Sequence, residues 1–311
     1  MASEGANPGR REAATAEMRS WASSDSLPGY ARDDAGGTRN DLRSGPVRRL
    51  VVMGDSIAYG MAAGNAENQW VQALAGLIRE FQDAPLRVFN NSIPANVISP
   101  EAPGYDPKGV WATSPSAIEY YERGMIGYAP DLAVYAYGLN DARCGHALPG
   151  FMRAYREMVV DTVKRLPDAL TVLVGPYWGL QFDAEAWAKA RREDLRVDFG
   201  KFALAGDSLV LAYNTAIAEL ASETGALFVD LYSLLEGAPW LLNADMCHFN
   251  DVGHAVIGMK VFLDIAARCS FVSRRSRHME EQLHMGIGNT GGTDALPPAI
   301  DSWRRVDTWR R

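Results

Sequence analysis

RLVVMGDSIAYG, residues 49–60, is the stretch on which the fold turns. Leu50 to Met53 form a short apolar run rich in β-branched residues, the composition of a buried strand, and Gly54 interrupts it at once. Asp55 and Ser56 then fall just beyond the carboxyl end of that strand, where α/β proteins gather their ligand sites. A serine hydroxyl is a weak nucleophile until a base removes its proton, so chemistry at Ser56 requires a histidine elsewhere, itself oriented by a carboxylate. DMCHFNDVGH, residues 245–254, supplies both groups. Asp245 and His248 stand three apart, which puts their side chains on the same side of a single turn.

Outward from that first strand, apolar β-rich runs recur at 86–90, 131–137, 169–174 and 226–231, which predicts five strands. Helical periodicity fills the intervals in WVQALAGLIREF (70–81), FMRAYREMVVDTVKRL (151–166) and SLVLAYNTAIAELASETG (208–225), and follows the last strand in VGHAVIGMKVFLDIAARC (252–269). Such alternation implies an α/β fold, a parallel sheet with helices on both faces. The segments after the strands, NNSIPAN (90–96), GLND (138–141) and GPYWG (175–179), are then expected to face a common cleft with Ser56.

The composition bounds the function. With 311 residues, 47% hydrophobic and 22% charged, the chain can bury a substantial core. A net charge of −7 without a central basic run gives no footprint for nucleic acid. Cys144, Cys247 and Cys269 are widely spaced, with neither a disulfide framework nor zinc-ligand spacing, which fits a reducing compartment. The first residues carry no apolar signal region, and no run of about 18 apolar residues occurs. A cytoplasmic location without membrane insertion is the expectation. Residues 1–47 are read as a flexible lead-in or a strap over the domain, 48–272 as the catalytic domain, and 273–311 as a flexible tail whose Trp303 and Trp309 alternate with arginines.

GDS at 54–56, GLND at 138–141 and DMCH at 245–248 resemble, in order and separation, three of the four sequence blocks of the SGNH hydrolases, also called the GDSL esterase/lipase family. The resemblance spans about 49–270. It implies a flavodoxin-like three-layer α/β/α fold with a central five-stranded parallel sheet, Ser56 as nucleophile, His248 as base and Asp245 as its orienting partner. It also implies an oxyanion hole built from the Ser56 N–H, a second backbone N–H after the second strand, and the Asn140 side chain. In the remaining block Asn90 aligns with the family's Asn and Ala95 falls on its glycine; Asn96 is a competing register. Alanine keeps the N–H but does not reach φ > 0 as cheaply as glycine. No metal or organic cofactor is expected.

Several residues have plainer readings. The literal GDSL at 206–209 follows no strand and precedes a helical pattern, so Asp207 or Ser208 reads as a helix N-cap. Asp141 reads as an Asx turn, His254 as structural, and Cys247 as a small buried hydrophobe. Around the cleft Tyr105, Trp111, Arg143, His146, Tyr177, Trp178 and Trp240 are available, and Asp55, Arg143, His146, Tyr177, Trp178 and Trp240 are the candidate substrate contacts. Aromatic rings with a few polar groups suit a sugar better than a long acyl chain. The favoured function is a short-chain serine esterase, with carbohydrate O-acetyl groups as the leading substrate. A lipase, thioesterase or acyltransferase with the same triad, and a non-catalytic binding module, are the alternatives. The insertion at 95–117 is read as a cleft wall or lid.

Overall fold

The structure, a computed structural model, describes residues 41–82, 84–108, 115–177, 207–236, 238–243, 245 and 247–272. In chain order these form β1 (Arg49–Gly54), α1 (Ser56–Tyr59), α2 (Trp70–Glu80), β2 (Arg87–Asn90), α3 (Ala117–Gly124), β3 (Leu132–Ala136), α4 (Leu139–Arg143) and α5 (Leu148–Arg165). They continue with β4 (Leu170–Val174), α6 (Asp207–Thr224), β5 (Leu227–Val229), α7 (Tyr232–Leu235) and α8 (Asp251–Arg268). The five strands are all parallel, in the order β2-β1-β3-β4-β5.

A parallel sheet covered on both faces needs strands that are apolar throughout, and alternate residues divide the core between the two sides. Leu50 and Val52 of β1, Leu132 and Val134 of β3, and Val172 and Val174 of β4 pack with Trp70, Leu74 and Ile78 of α2 and Ile257, Val261 and Ile265 of α8. Val51, Met53, Ala133, Tyr135 and Leu173 point the other way, onto Phe151, Tyr155 and Met158 of α5 and Tyr213, Ile217 and Leu220 of α6. The fold is the three-layer α/β/α arrangement expected. Helices α2 and α8 cross so closely that a Cβ on Gly258 would lie 2.8 Å from the Trp70 carbonyl oxygen.

Four local outcomes differ from the sequence reading or add to it. The fifth strand is only Leu227–Val229, shorter than the run at 226–231. Helix α3 was not foreseen, although Ser116 and Glu119 form a capping box at its start: the Glu119 carboxylate accepts the Ser116 N–H at 2.9 Å. Residues 41–47, placed with the lead-in, belong to the domain. Leu42 N–H donates to the Arg268 carbonyl at 2.9 Å, Arg43 pairs with Asp131 at 3.0 Å, and Val47 is fully buried. The GDSL stretch at 206–209 opens α6 at Asp207, but Gly206 and the capping of that helix lie outside the described residues, as do the segments 1–40 and 273–311.

Among the described residues no helix is long and apolar enough to cross a membrane. Cys144, Cys247 and Cys269 are buried free thiols.

Candidate active site

The order of the sheet reverses between β1 and β3, and the loops leaving those two strands carry Ser56 and Asn140. This is the switch point at which open α/β sheets bind ligands. After β1 the chain turns straight into α1. A Cβ on Gly54 would lie 2.6 Å from the Ala136 carbonyl oxygen, so only glycine lets β1 end so tightly against β3. Asp55 caps α1, its Oδ1 accepting the Ile57 N–H at 2.9 Å. From below, the Trp70 indole N–H donates to the Ile57 carbonyl at 2.9 Å. Ser56, the first residue of this braced turn, keeps 7% of its surface accessible.

His248 comes from the loop before α8. One carboxylate organises that loop: Asp245 Oδ1 accepts the backbone N–H groups of Cys247 at 3.0 Å and His248 at 2.9 Å. Asp245 Oδ2 meets His248 Nδ1 at 2.5 Å, and His248 Nε2 lies 2.9 Å from Ser56 Oγ. The loop is fixed at its far end by Asn250, which caps α8 through the Gly253 N–H at 3.0 Å. Burial pushes the Asp245 carboxyl up, but the His248 bond and the two backbone donors outweigh it and hold the group below the ordinary carboxylate range. Asp245 is therefore the anionic end of a continuous bonded chain that runs through an imidazole to a serine hydroxyl. That is the geometry by which a serine is activated for attack on a carbonyl carbon.

The oxyanion donors expected from the sequence have these surroundings. The Ser56 N–H sits at the start of α1, where helix N–H groups lack an intrahelical acceptor. Asn140 is 3% exposed, and its Nδ2 lies 3.1 Å from the Asn96 carbonyl and 3.4 Å from Asp55 Oδ2. Ala95 adopts φ +62°, in the left-handed region that favours glycine, and among the described residues its N–H has no acceptor. The Asn96 N–H, by contrast, donates to the Ile93 carbonyl at 3.1 Å. Asn90 stays out of the site: its Nδ2 braces the Ala58 carbonyl at 2.8 Å.

The other candidates divide. Asp55 is 3% exposed and acts as a helix cap. Burial raises its pKa to about 6 against the pull of the Ile57 N–H. Asp141 makes no Asx turn. It is fully buried inside α4, with its carboxylate on the Ile98 N–H and on His146 Nδ1 at 2.9 Å. His146 is thereby turned inward. Arg143 Nη1 lies 3.5 Å from Cys247 Sγ, and the Tyr177 hydroxyl donates to the Cys247 carbonyl, so both buried side chains support the Asp245–His248 loop from beneath. Cys247 is buried, and that burial pushes its thiol up. His254 is buried against Phe249, with Nε2 3.2 Å from the Met61 carbonyl.

Tyr105 packs its loop through Glu119 at 3.1 Å, whereas Trp111 and Trp178 lie outside the described residues. The insertion at 95–117 is joined to α3 by Ala117 N–H on the Val97 carbonyl at 2.9 Å. Trp240 is 71% exposed, and its carbonyl accepts Asn250 Nδ2 at 2.8 Å, which ties it to the loop that carries His248. Tyr59, three residues beyond Ser56 in α1, is 49% exposed. It was not among the residues singled out from the sequence, although its place in the opening stretch was the available signal. Among the described residues no cluster of His, Cys, Asp and Glu could hold a metal ion.

Comparison with known proteins bears on the family and the fold. The sequence profile of the GDSL-like lipase/acylhydrolase family matches residues 52–256, and no curated protein matches the sequence. Among solved structures, a catalytic mutant of an acetylxylan esterase from Geobacillus stearothermophilus superposes with a TM-score of 0.52 at 19% identity, covering 75% of this chain and 99% of the other. A lipase/acylhydrolase from Enterococcus faecalis gives a TM-score of 0.50 at 18% identity over 71% and 96% of the two chains. At these identities the structural likeness speaks for the fold, and the profile, which spans most of the chain, for the family. The chain belongs to the GDSL-like lipase/acylhydrolase family and is a carboxylic ester hydrolase.

Proposed function

We propose that this hydrolase cleaves short-chain carboxylic esters, with O-acetyl groups on a carbohydrate as the substrate class, through Ser56, His248 and Asp245 and a covalent acyl-enzyme. The observation that carries the reading is the unbroken chain from Asp245 Oδ2 to His248 Nδ1 at 2.5 Å and from His248 Nε2 to Ser56 Oγ at 2.9 Å. His248 takes the Ser56 proton as Oγ attacks the ester carbonyl, then hands that proton to the departing alcohol. In the second half-reaction it draws a proton from the water that releases the acid. Asp245 holds the ring with Nε2 toward the serine and stabilises the imidazolium.

The Ser56 and Ala95 backbone N–H groups and the Asn140 amide are the donors for the oxyanion. The unbonded Ala95 N–H supports this, and the internal bond of the Asn96 N–H argues against the competing register. The carbohydrate preference rests on Trp240, a largely exposed indole on the turn bonded to the loop of His248, and on the half-exposed Tyr59, three residues beyond the nucleophile. Such rings offer flat faces with polar edges to a sugar.

Hydrolysis of a chromogenic ester series from acetyl to long acyl chains, by wild type and Ser56→Ala, tests the reading. Preference for the acetyl ester with an inert mutant supports it, and acetylated oligosaccharides are then the substrates to compare. Preference for long chains replaces it with a lipase or thioesterase. Transfer of the acyl group to an added alcohol in place of water makes the enzyme an acyltransferase.

A further inference from the structure

We infer that the buried pair Asp141–His146 is a positioning device for the oxyanion cradle, holding the turn 95–98 in register with the helix that carries Asn140. The inference rests on the assignment of Ala95 and Asn140 as oxyanion donors. Asn140 and Asp141 are neighbours on α4, and each grips the same turn. Asn140 Nδ2 donates to the Asn96 carbonyl at 3.1 Å, and the Asp141 oxygens receive the Ile98 N–H at 3.2 and 3.1 Å. Ala95 immediately precedes the first of those contact points, and the Asn96 N–H on the Ile93 carbonyl at 3.1 Å closes the turn around it, which leaves its unbonded N–H little freedom to shift.

His146 fixes Asp141 in turn. Its Nδ1 lies 2.9 Å from Asp141 Oδ1, and its own backbone N–H donates to the Asp141 carbonyl at 2.9 Å. The ring meets Phe151 edge-on at 6.4 Å, and the Tyr213 hydroxyl donates to the His146 carbonyl. A Cβ on Gly150 would stand 2.8 Å from His146 Nε2, so the ring occupies a space that the glycine leaves open. Among the described residues Nε2 has no hydrogen-bond partner. Nδ1 is therefore the ring atom that bonds, and its N–H is a fixed donor to the Asp141 carboxylate.

Burial raises the Asp141 carboxyl, and the bonds from His146 and Ile98 oppose that rise. A buried carboxylate is a poor source of stability, because its desolvation offsets most of what its partners return. What it provides is direction, and donors misplaced by about 1 Å can cost up to about 10²-fold in rate.

The test uses the full chain and a short-chain ester, with kcat and KM measured for His146→Leu, His146→Asn, Asn140→Ala and the double variant His146→Leu/Asn140→Ala. His146→Leu removes the donor at similar volume, whereas His146→Asn presents an amide N–H near the position of Nδ1. The expected result is a kcat about 10- to 100-fold lower for His146→Leu with KM within about twofold. His146→Asn should recover to within about threefold of wild type, and His146→Leu should have a smaller effect when Asn140 is already absent. A folded His146→Leu with wild-type kcat, an equally poor His146→Asn, or full multiplicativity in the double variant overturns the inference. If His146→Leu does not fold, Asp141→Asn takes its place, and wild-type kcat in that variant is equally fatal. An unchanged kcat for Asn140→Ala removes the oxyanion assignment itself and this inference with it. A fall in Asn140→Ala beside an unaffected His146→Leu removes the positioning role alone.

Discussion

Replacing Asp55 by asparagine removes a titration that works against the fold, and the size of the effect follows from its surroundings. The carboxyl group is 3% exposed, and burial is the largest influence on it. The Ile57 N–H and the charges of His248 and Arg143 favour ionisation, while Asp141 opposes it, and the balance leaves the pKa at about 6 in place of the ordinary 3.8. A rise of that size, at about 1.36 kcal/mol for each pKa unit, corresponds to about 3 kcal/mol.

The direction follows from which state holds the proton. Below the unfolded value Asp55 is protonated in both states and costs nothing. As pH rises through the window between 3.8 and about 6, the unfolded chain ionises first and stability falls; above about 6 the whole cost is present. The asparagine side chain would retain Oδ1 for the Ile57 N–H without titrating. The stability of Asp55→Asn minus that of wild type should therefore grow by about 3 kcal/mol from the acid end of the window to neutral pH. Any constant offset from the new amide beside Asn140 cancels in the comparison. Urea unfolding of both proteins at stepped pH measures the difference. A difference that stays flat across the window, or shrinks as pH rises, refutes the reasoning.

Asn140→Ala should lower kcat by about 10²- to 10³-fold because one oxyanion donor is lost, and should also lower stability to urea by about 1–3 kcal/mol because the buried Asn96 carbonyl loses its partner; unchanged steady-state kinetics would take Asn140 out of the hole. Ala95→Gly should retain activity and move stability by less than about 1 kcal/mol, since relief of the left-handed alanine is offset by the more flexible unfolded chain. A large loss of kcat on that change would mean that the backbone at 95 is not held in the geometry described. Trp240→Ala should reduce kcat/KM for an acetylated oligosaccharide while leaving a small chromogenic acetate nearly untouched; equal losses on both substrates would place the indole in general support of the loop. Ser208→Ala should leave turnover near wild type, in contrast to Ser56→Ala, and an inactive Ser208→Ala would overturn the choice of nucleophile.

The central strands were legible because burial on both faces writes a continuous apolar run, as in Leu50–Met53 and Leu170–Val174. Asp245 and His248 were legible for a local reason: their bond closes within one turn, so spacing alone announces it. What the sequence concealed was mostly long-range. Asp141 read as a loop cap because nothing near it reveals that Ile98, 43 residues away, supplies its partner. Arg143, His146 and Tyr177 had the chemistry of substrate contacts, yet the fold turns them inward to brace the loops. The sequence does not say which way a polar side chain at a strand end points. Helix α3 was overlooked because its eight residues are too few to establish a helical period, although its SAIE capping box was in view.

The central claim is that Ser56, activated by His248, is the residue that becomes acylated. Treatment of the wild type with a fluorophosphonate, which forms a stable adduct with an activated serine, followed by peptide mapping by mass spectrometry, tests it most directly. One adduct is expected, on the peptide containing Ser56, blocked by prior incubation with a slowly hydrolysed short-chain ester and absent in a folded His248→Ala variant. An adduct on Ser208 or another serine, or labelling of Ser56 that persists without His248, would contradict it.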